Sequence, residues 1–479
     1  MAIHRKTKFL LEKKDVVLVV PAKPTPSEVL YFSTMDNDYN LELLCQTLYV
    51  YQGNTSSPNC KNHDENGLTP LQLEPALVVK EALSKALIHY YPLAGKLKRQ
   101  ADGRLQITCN GDGVPFLEAT VDCHLSSLNY FDGIDVETAK NFVFDWPTES
   151  KYGYHPLVLR VTKFSCGGFT IGMGLSHSVC DGFGAAQFFR AITELASGKN
   201  EPTIKPVWER ERLVGKFSAE DDPFPFMDIA SLAKSPFLPA AEISHECFNV
   251  DDESIRKLKM LLTQECNNDQ IPNGSFTTLE ALGAYIWRAR YRALRQNADG
   301  KTMFCLTMGI RNFINPPLPD GYYGNGIVPA NVELLGRDLD DGPLYKVAVL
   351  IKQSKQMNSN NEHISKTLNM LEKLNQQKMK IETHGASLVL TDWRQLRLLE
   401  EEDFGWKESV NMIPLPWKMF GYVDLCIFMP PCRINNNNSG SMRGGVRVLV
   451  SLPEAAMERF KTEMLALEIS NNIAEIKTS

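Results

Sequence analysis

The sequence predicts an α/β protein of two similar-sized domains, and three observations carry that prediction. At 479 residues the chain is too long to close around one hydrophobic core. Strand-like and helix-like stretches alternate in both halves, which points to mixed sheets layered with helices. Between Lys199 and about Pro225, proline and charged residues dominate and apolar periodicity fades, so this stretch is expected to cross between domains. The expected partition is residues 1–198, a crossover at 199–225, and residues 226–479.

In chain order, Val16–Val20 is a valine-rich run closed by Pro21-Ala22-Lys23-Pro24, as expected of a short strand. Ala76–Leu87 has helical spacing, with Leu77, Val78, Ala82, Leu83, Ala86 and Leu87 apolar, and stops before Tyr90-Tyr91-Pro92. Leu157–Phe164 and Phe169–Leu175 are strand-like runs joined by a Cys166-Gly167-Gly168 turn. Gly184–Ala196 reads as a helix with Gly198 as its stop. Thr277-x-x-Glu280 is a capping box ahead of an amphipathic segment through Trp287 and Tyr291. Val446–Leu452 reads as a strand, and Pro453 stands where the first turn of a helix over Glu454–Ala466 is expected. Two polar stretches, Gly53–Gly67 and Asn435–Gly445, read as exposed loops.

Composition narrows the class of function. The 51 basic and 57 acidic residues leave a net charge of −6, which gives no electrostatic reason to expect nucleic acid or an anionic membrane. No uninterrupted apolar stretch follows the charged start at His4-Arg5-Lys6, so neither a signal peptide nor a membrane span is expected. The mean hydropathy of −0.23 agrees. The 11 cysteines include no Cys-x-x-Cys pair and suit a reducing compartment, so the expectation is a soluble, cytoplasmic protein.

Chemistry concentrates at His177-Ser178-Val179-Cys180-Asp181-Gly182, in the turn between a strand and a helix. A histidine there can take a proton near neutral pH. Asp181 has two readings, a partner in the site or the N-cap of the following helix. Gly174-Leu175-Ser176-His177-Ser178 lacks the final glycine of a nucleophile elbow. Asp181 beside Cys180 would raise the thiol pKa, which disfavours a cysteine nucleophile. No zinc-ligand spacing, Walker sequence or Gly-x-Gly-x-x-Gly occurs, so plain general-base chemistry without a metal is favoured.

The whole chain resembles the BAHD acyltransferases of plants. The resemblance begins at Pro21–Asn37 and runs through Tyr91-Pro92-Leu93-Ala94-Gly95, the His177–Gly182 motif, and Asn315-Pro316-Pro317-Leu318-Pro319 with Tyr322-Tyr323-Gly324-Asn325. It continues through Thr391-Asp392-Trp393 and Asp403-Phe404-Gly405-Trp406 to Val450-Ser451-Leu452-Pro453. Lys407 stands where the family's second signature usually ends in glycine, a difference that touches only the local turn.

That resemblance implies two chloramphenicol-acetyltransferase-like domains with mixed sheets and a central solvent channel. It implies His177 as the general base in that channel, and Asp181 turned away toward an arginine, for which Arg311 is the fitting position. Trp393 resembles a donor to the tetrahedral oxyanion, with core packing as the alternative, and Thr391 beside it would border the substrate pocket. Asp403 and Gly405 would support the fold of the site. Ser275, Thr277 and Thr278 open a helix and would either meet the phosphates of CoA or simply cap it. Acyl-CoA would be a co-substrate with no bound cofactor, the acceptor a small molecule, and the enzyme a monomer.

Pro206–Leu213, Gly309–Asn312 and Leu390–Arg394 look most like the spermidine hydroxycinnamoyltransferases. The expected reaction is therefore transfer of a hydroxycinnamoyl or related aromatic acyl group to an amine of a polyamine such as spermidine. The alternatives are O-acylation of an alkaloid or other specialised metabolite, and a non-catalytic ligand-binding relative.

Overall fold

The structure, a computed structural model, describes residues 8–53, 74–133, 136–146, 151–216, 228–240, 242–266, 274–399, 404, 409–415, 424–434 and 442–476. The N-terminal half opens with β1 (Leu11–Lys13), β2 (Val17–Val19), β3 (Glu28–Tyr31), β4 (Leu44–Tyr51) and α1 (Pro75–His89). It continues with β5 (Lys96–Arg99), β6 (Leu105–Cys109), β7 (Val114–Val121), α2 (Val136–Ala139), β8 (Leu157–Phe164), β9 (Phe169–Ser176) and α3 (Gly182–Ala196). The C-terminal half brings β10 (Ile243–Val250), α4 (Asp252–Glu265), α5 (Thr278–Ala293), β11 (Lys301–Gly309), β12 (Ile327–Leu335), α6 (Gly336–Asp341), α7 (Leu344–Met357) and α8 (Asn361–Gln376). It ends with β13 (Ser387–Asp392), β14 (Ser409–Leu415), β15 (Leu425–Met429), β16 (Val446–Pro453) and α9 (Glu454–Ile476).

Two large mixed sheets result. The first runs β1-β7-β8-β9-β4-β14, with β2 also on β7, and the second runs β10-β16-β15-β13-β11-β12. A small sheet, β3-β6-β5, stands apart from them. The strand alternation of β4 and β15 sets the layering. On β4, Tyr49 and Tyr51 face α1 and α3, where the Tyr49 ring stacks on Phe189 at 3.9 Å. Leu48 and Val50 face the other way and meet Leu425, Ile427 and Met429 of β15. Cys426 and Phe428, between those residues, turn outward to a second core that includes Trp287 and Phe460. Each sheet thus has its own helical cover, and a shared apolar patch joins the two inner faces.

Most of the sequence-predicted elements occur within a residue or two, the usual uncertainty of an element's end. Gly198 takes a left-handed φ of +95°, as a helix stop requires. Thr277 and Glu280 form both bonds of the capping box at the start of α5. Pro453 differs from expectation: it is the last residue of β16, paired with Ile243, and α9 begins one residue later. Its position is decided by the ladder with β10, which a reading of local helix signals does not see.

Two features depend on distant pairing. β14, from the C-terminal half, joins the first sheet by pairing antiparallel with β4, Ile413 opposite Leu48. All seven of its residues are buried, and it covers an edge that β4 would otherwise expose. The expected crossover is pinned down over its described part, 199–216. Val207 N–H donates to Gly321 O, Thr34 N–H to Leu213 O, and Trp208 Nε1–H to Tyr31 O. Among the described residues no helix is long and apolar enough to cross a membrane.

Candidate active site

β9 delivers the histidine. All eight of its residues are buried, the strand ends at Ser176, and the chain turns once before α3. His177 N–H donates to Leu43 O at 2.9 Å, which ties this turn to the start of β4. A Cβ on Gly184 would lie 2.0 Å from the Tyr323 carbonyl oxygen, so only glycine lets the first turn of α3 press on that loop.

Burial pushes the His177 imidazole below its ordinary pKa, against smaller opposing effects from its own backbone carbonyl, Asp181, Asn325 and Asp38. Burial thus favours the neutral ring, the form able to accept a proton. Nδ1 is buried, which leaves Nε2 as the nitrogen open to the cavity. Asn325 holds the residue in place: its Nδ2 donates to the His177 carbonyl at 2.7 Å and to Asp36 Oδ1 at 2.8 Å. Asp36 is buried and meets Arg210 Nη1 at 3.3 Å, and Arg210 Nη2 donates to Val179 O at 2.8 Å. The Arg210 guanidinium also lies over the Trp208 ring at 4.3 Å. The crossover segment thus braces the histidine turn from behind.

This network makes Asn325 a positioning residue. Asn325→Ala should lower kcat roughly tenfold or more, the cost of leaving buried polar groups unpaired, with a smaller effect on KM. An equal rise in KM with kcat unchanged would mean that Asn325 serves binding instead.

Asp181 fills both of its expected roles at once. Its Oδ1 accepts from Gly184 N–H at 2.9 Å, which is the N-cap bond of α3, and from Arg311 Nη2 at 2.8 Å. Its Oδ2 accepts from Arg311 Nη1 at 2.8 Å and from Gly326 N–H at 3.0 Å. Burial alone would push this carboxyl up, but Arg311 and the two backbone N–H groups outweigh it and hold it below its ordinary value. These four bonds come from α3, Arg311 and Gly326, so Asp181 ties β9–α3 to the segment between β11 and β12. It makes no direct contact with the His177 ring and acts on it through its charge and through this tie.

The inner faces of the two sheets part around a cavity of about 430 Å³. Its walls carry His177 and Thr47 from one sheet, and Thr307, Val389, Thr391 and Ile427 from the other. Trp393 borders the same space, half-buried, just past the end of β13. No described residue accepts its Nε1–H. Its ring also packs against the apolar cores, so donor and packing readings coexist. A second cavity of about 130 Å³ adjoins the first and shares Thr307, Ile327 and Val389 with it.

The other site expectations fare differently. Ser275, Thr277 and Thr278 do not border the main cavity, although Leu279 and Lys355 beside them do. The Thr277 hydroxyl is occupied by Glu280 N–H in the cap, and the Ser275 carbonyl accepts from Lys352. Lys355 reaches Glu280 Oε1 at 2.7 Å. Asp403, Gly405, Trp406 and Lys407 lie outside the described residues, as do 54–67 and 435–441. Cys180 borders the cavity, but burial and then Asp181 push its thiol well up, so little thiolate exists at neutral pH. The Ser178 hydroxyl is buried and donates to Leu41 O at 3.3 Å. Asp36, Asp38, Arg210, Asn325, Lys355 and Asp424 were missed as site residues. Asp36, Arg210 and Asn325 lay inside the motifs that carried the resemblance, whereas nothing in the sequence marked Asp38, Lys355 or Asp424.

A buried histidine beside a cavity between two sheets, with no competing thiolate among the described residues, suits an acyltransferase that works by general-base catalysis. The chain belongs to the Transferase family, the BAHD acyltransferases, whose model matches residues 9–467, and it is an acyl-CoA-dependent acyltransferase. It is 41% identical to the spermidine coumaroyl-CoA acyltransferase of Arabidopsis thaliana over 96% of both chains. It is 40% identical to the spermidine sinapoyl-CoA acyltransferase of the same plant, over 96% of this chain and 98% of the relative. Its fold is similar to the crystal structure of vinorine synthase, with a TM-score of 0.70 and 22% identity, over 96% of this chain and 98% of the other.

Proposed function

We propose that the enzyme transfers a hydroxycinnamoyl or related aromatic acyl group from its CoA thioester to an amine of a polyamine such as spermidine. The observation that carries this reading is the second cavity, where the charged groups among the described lining residues are the carboxylates of Asp38 and Asp424. Such a chamber next to His177 suits a cationic acceptor. The two spermidine acyltransferases with 41% and 40% identity agree with it. Lys355, at the edge of the main cavity, suits the phosphate-bearing donor, near the start of α5 where Ser275, Thr277 and Thr278 stand.

In the transfer step the amine nitrogen attacks the thioester carbonyl carbon while Nε2 of His177 takes its proton. The carbonyl oxygen becomes an oxyanion, to which Trp393 Nε1–H is the available donor. Collapse breaks the carbon–sulfur bond, and the departing thiolate takes the proton from His177. The products are an amide and free CoA.

Incubation with a panel of acyl-CoAs, polyamines and alcohols, followed by mass analysis, tests the reading: N-acylated polyamines are expected, and esters alone would replace it with the O-acylation reading. Direct transfer further predicts intersecting double-reciprocal plots and no acylated protein after incubation with acyl-CoA alone. Cys180→Ser should keep substantial activity. Parallel plots with a stable adduct on Cys180 would defeat this mechanism.

A further inference from the structure

The two carboxylates of the second cavity are not equivalent. Asp424 is buried and fully engaged: Oδ1 accepts from Arg290 Nη2 at 3.3 Å, and Oδ2 from Ser387 Oγ at 2.9 Å and from Thr383 Oγ1. Asp38, in the segment between β3 and β4, uses only Oδ1, which accepts from Asn40 N–H at 2.8 Å and Asn40 Nδ2 at 3.1 Å. Among the described residues Oδ2 has no partner, and no lysine or arginine pairs with Asp38. Arg99, a cation close enough to influence it, is committed to Glu42, Gly103 O and Asn37 O. A carboxylate with an open acceptor position, facing a cavity that adjoins the catalytic one, has the chemistry to receive an ammonium.

The cavity's shape narrows the ligand. At about 130 Å³ it is well below the roughly 300–1,000 Å³ of pockets for drug-sized ligands. Met35, Met303, Val328, Leu371 and Ile381 make its walls largely apolar. A thin alkyl chain with charged nitrogens matches both features, and a polycyclic skeleton matches neither. An ammonium held against a carboxylate is stabilised in its charged form and has no lone pair with which to attack. The nitrogen at Asp38 is therefore not the one acylated.

We propose that Asp38 is the specificity-determining residue for the acceptor, holding a non-reacting ammonium of a linear polyamine while the next amine along the chain reaches Nε2 of His177. This rests on the functional reading above and assigns its selectivity to one side chain. The apolar walls cover the intervening methylenes, and Asp424, already neutralised by Arg290, contributes shape and fold rather than recognition.

The test uses the purified full chain with a competent acyl-CoA and compares diaminobutane with its monoamine counterpart, butylamine. Wild-type kcat/KM should favour the diamine by roughly 10–100-fold, the range for one charge-assisted hydrogen bond. In Asp38→Asn, checked for folding by thermal melting, that ratio should fall toward one, through KM of the diamine. A wild-type ratio near one overturns the proposal even if the variant does not fold. A folded variant that keeps the wild-type ratio also overturns it, while continued acylation of polyamines would leave the functional reading intact. Failure of the wild-type enzyme to acylate any amine, with esters formed from alcohols, would instead remove the functional reading and this assignment with it.

Discussion

Replacement of His177 by alanine should lower turnover roughly 10²–10⁴-fold, the contribution of a positioned general base, with little change in melting temperature. The small structural cost follows from how the residue is held. Its backbone N–H and carbonyl, bonded to Leu43 and Asn325, fix the turn, and alanine keeps both. What is lost is the imidazole at the cavity. A folded variant with near wild-type turnover would show that the base lies elsewhere. The same geometry sets the pH dependence. Burial holds the His177 pKa below its ordinary value, so the neutral base should persist as pH falls through about 6.5. An NMR titration of the His177 ring, which reports the imidazole and not the amine substrate, should therefore have its midpoint below that point. A midpoint above pH 7 would contradict a buried neutral base.

Asp181→Asn should cost both stability and activity. The carboxylate is buried and pairs with the partly buried Arg311, and breaking such a pair by removing one charge costs about 3–5 kcal/mol. Asparagine also cannot accept all four bonds: its amide nitrogen must face a donor from Arg311, Gly184 or Gly326. Activity falls because these bonds join the histidine turn to the segment that carries Asn325. The sign of the pH effect follows from linkage. The folded pKa of Asp181 is depressed below the unfolded value of about 3.9, so its stabilisation is complete above that pH and lost as pH falls through the folded value. Wild-type and variant melting temperatures should thus differ most near neutrality and converge in acid. A constant difference at every pH would mean that the charge of Asp181 contributes nothing.

The elements around the candidate site were legible in the sequence where their signals are local. His177 lies at a strand-to-helix turn, and both the period-two run before it and the helical run after it are local patterns. Thr277 and Glu280 declared their cap because a capping box needs only two residues three apart. At Ser275, Thr277 and Thr278 the helix start is recognisable from the sequence, but its neighbours in space are not. Lys355, from α7, is the cation that borders the cavity there.

By itself the sequence determined the α/β class, the position of His177 at a strand-to-helix turn, the helix that follows it and the family. These rest on residues close together in the chain, or on motifs kept in order along it. Only the tertiary structure decided that β14 joins the first sheet, that Arg210 braces the histidine turn through Asp36, and that Asp38 and Asp424 share one chamber. Asp38 and Asp424 lie 386 residues apart in a chain of 479. Their meeting depends on strand pairing and on two sheets packing face to face, and neither leaves a periodic signal around the residues themselves. The difference between them is also tertiary: Arg290, Thr383 and Ser387 engage Asp424, while among the described residues no donor reaches Oδ2 of Asp38, because only packing determines which donors arrive.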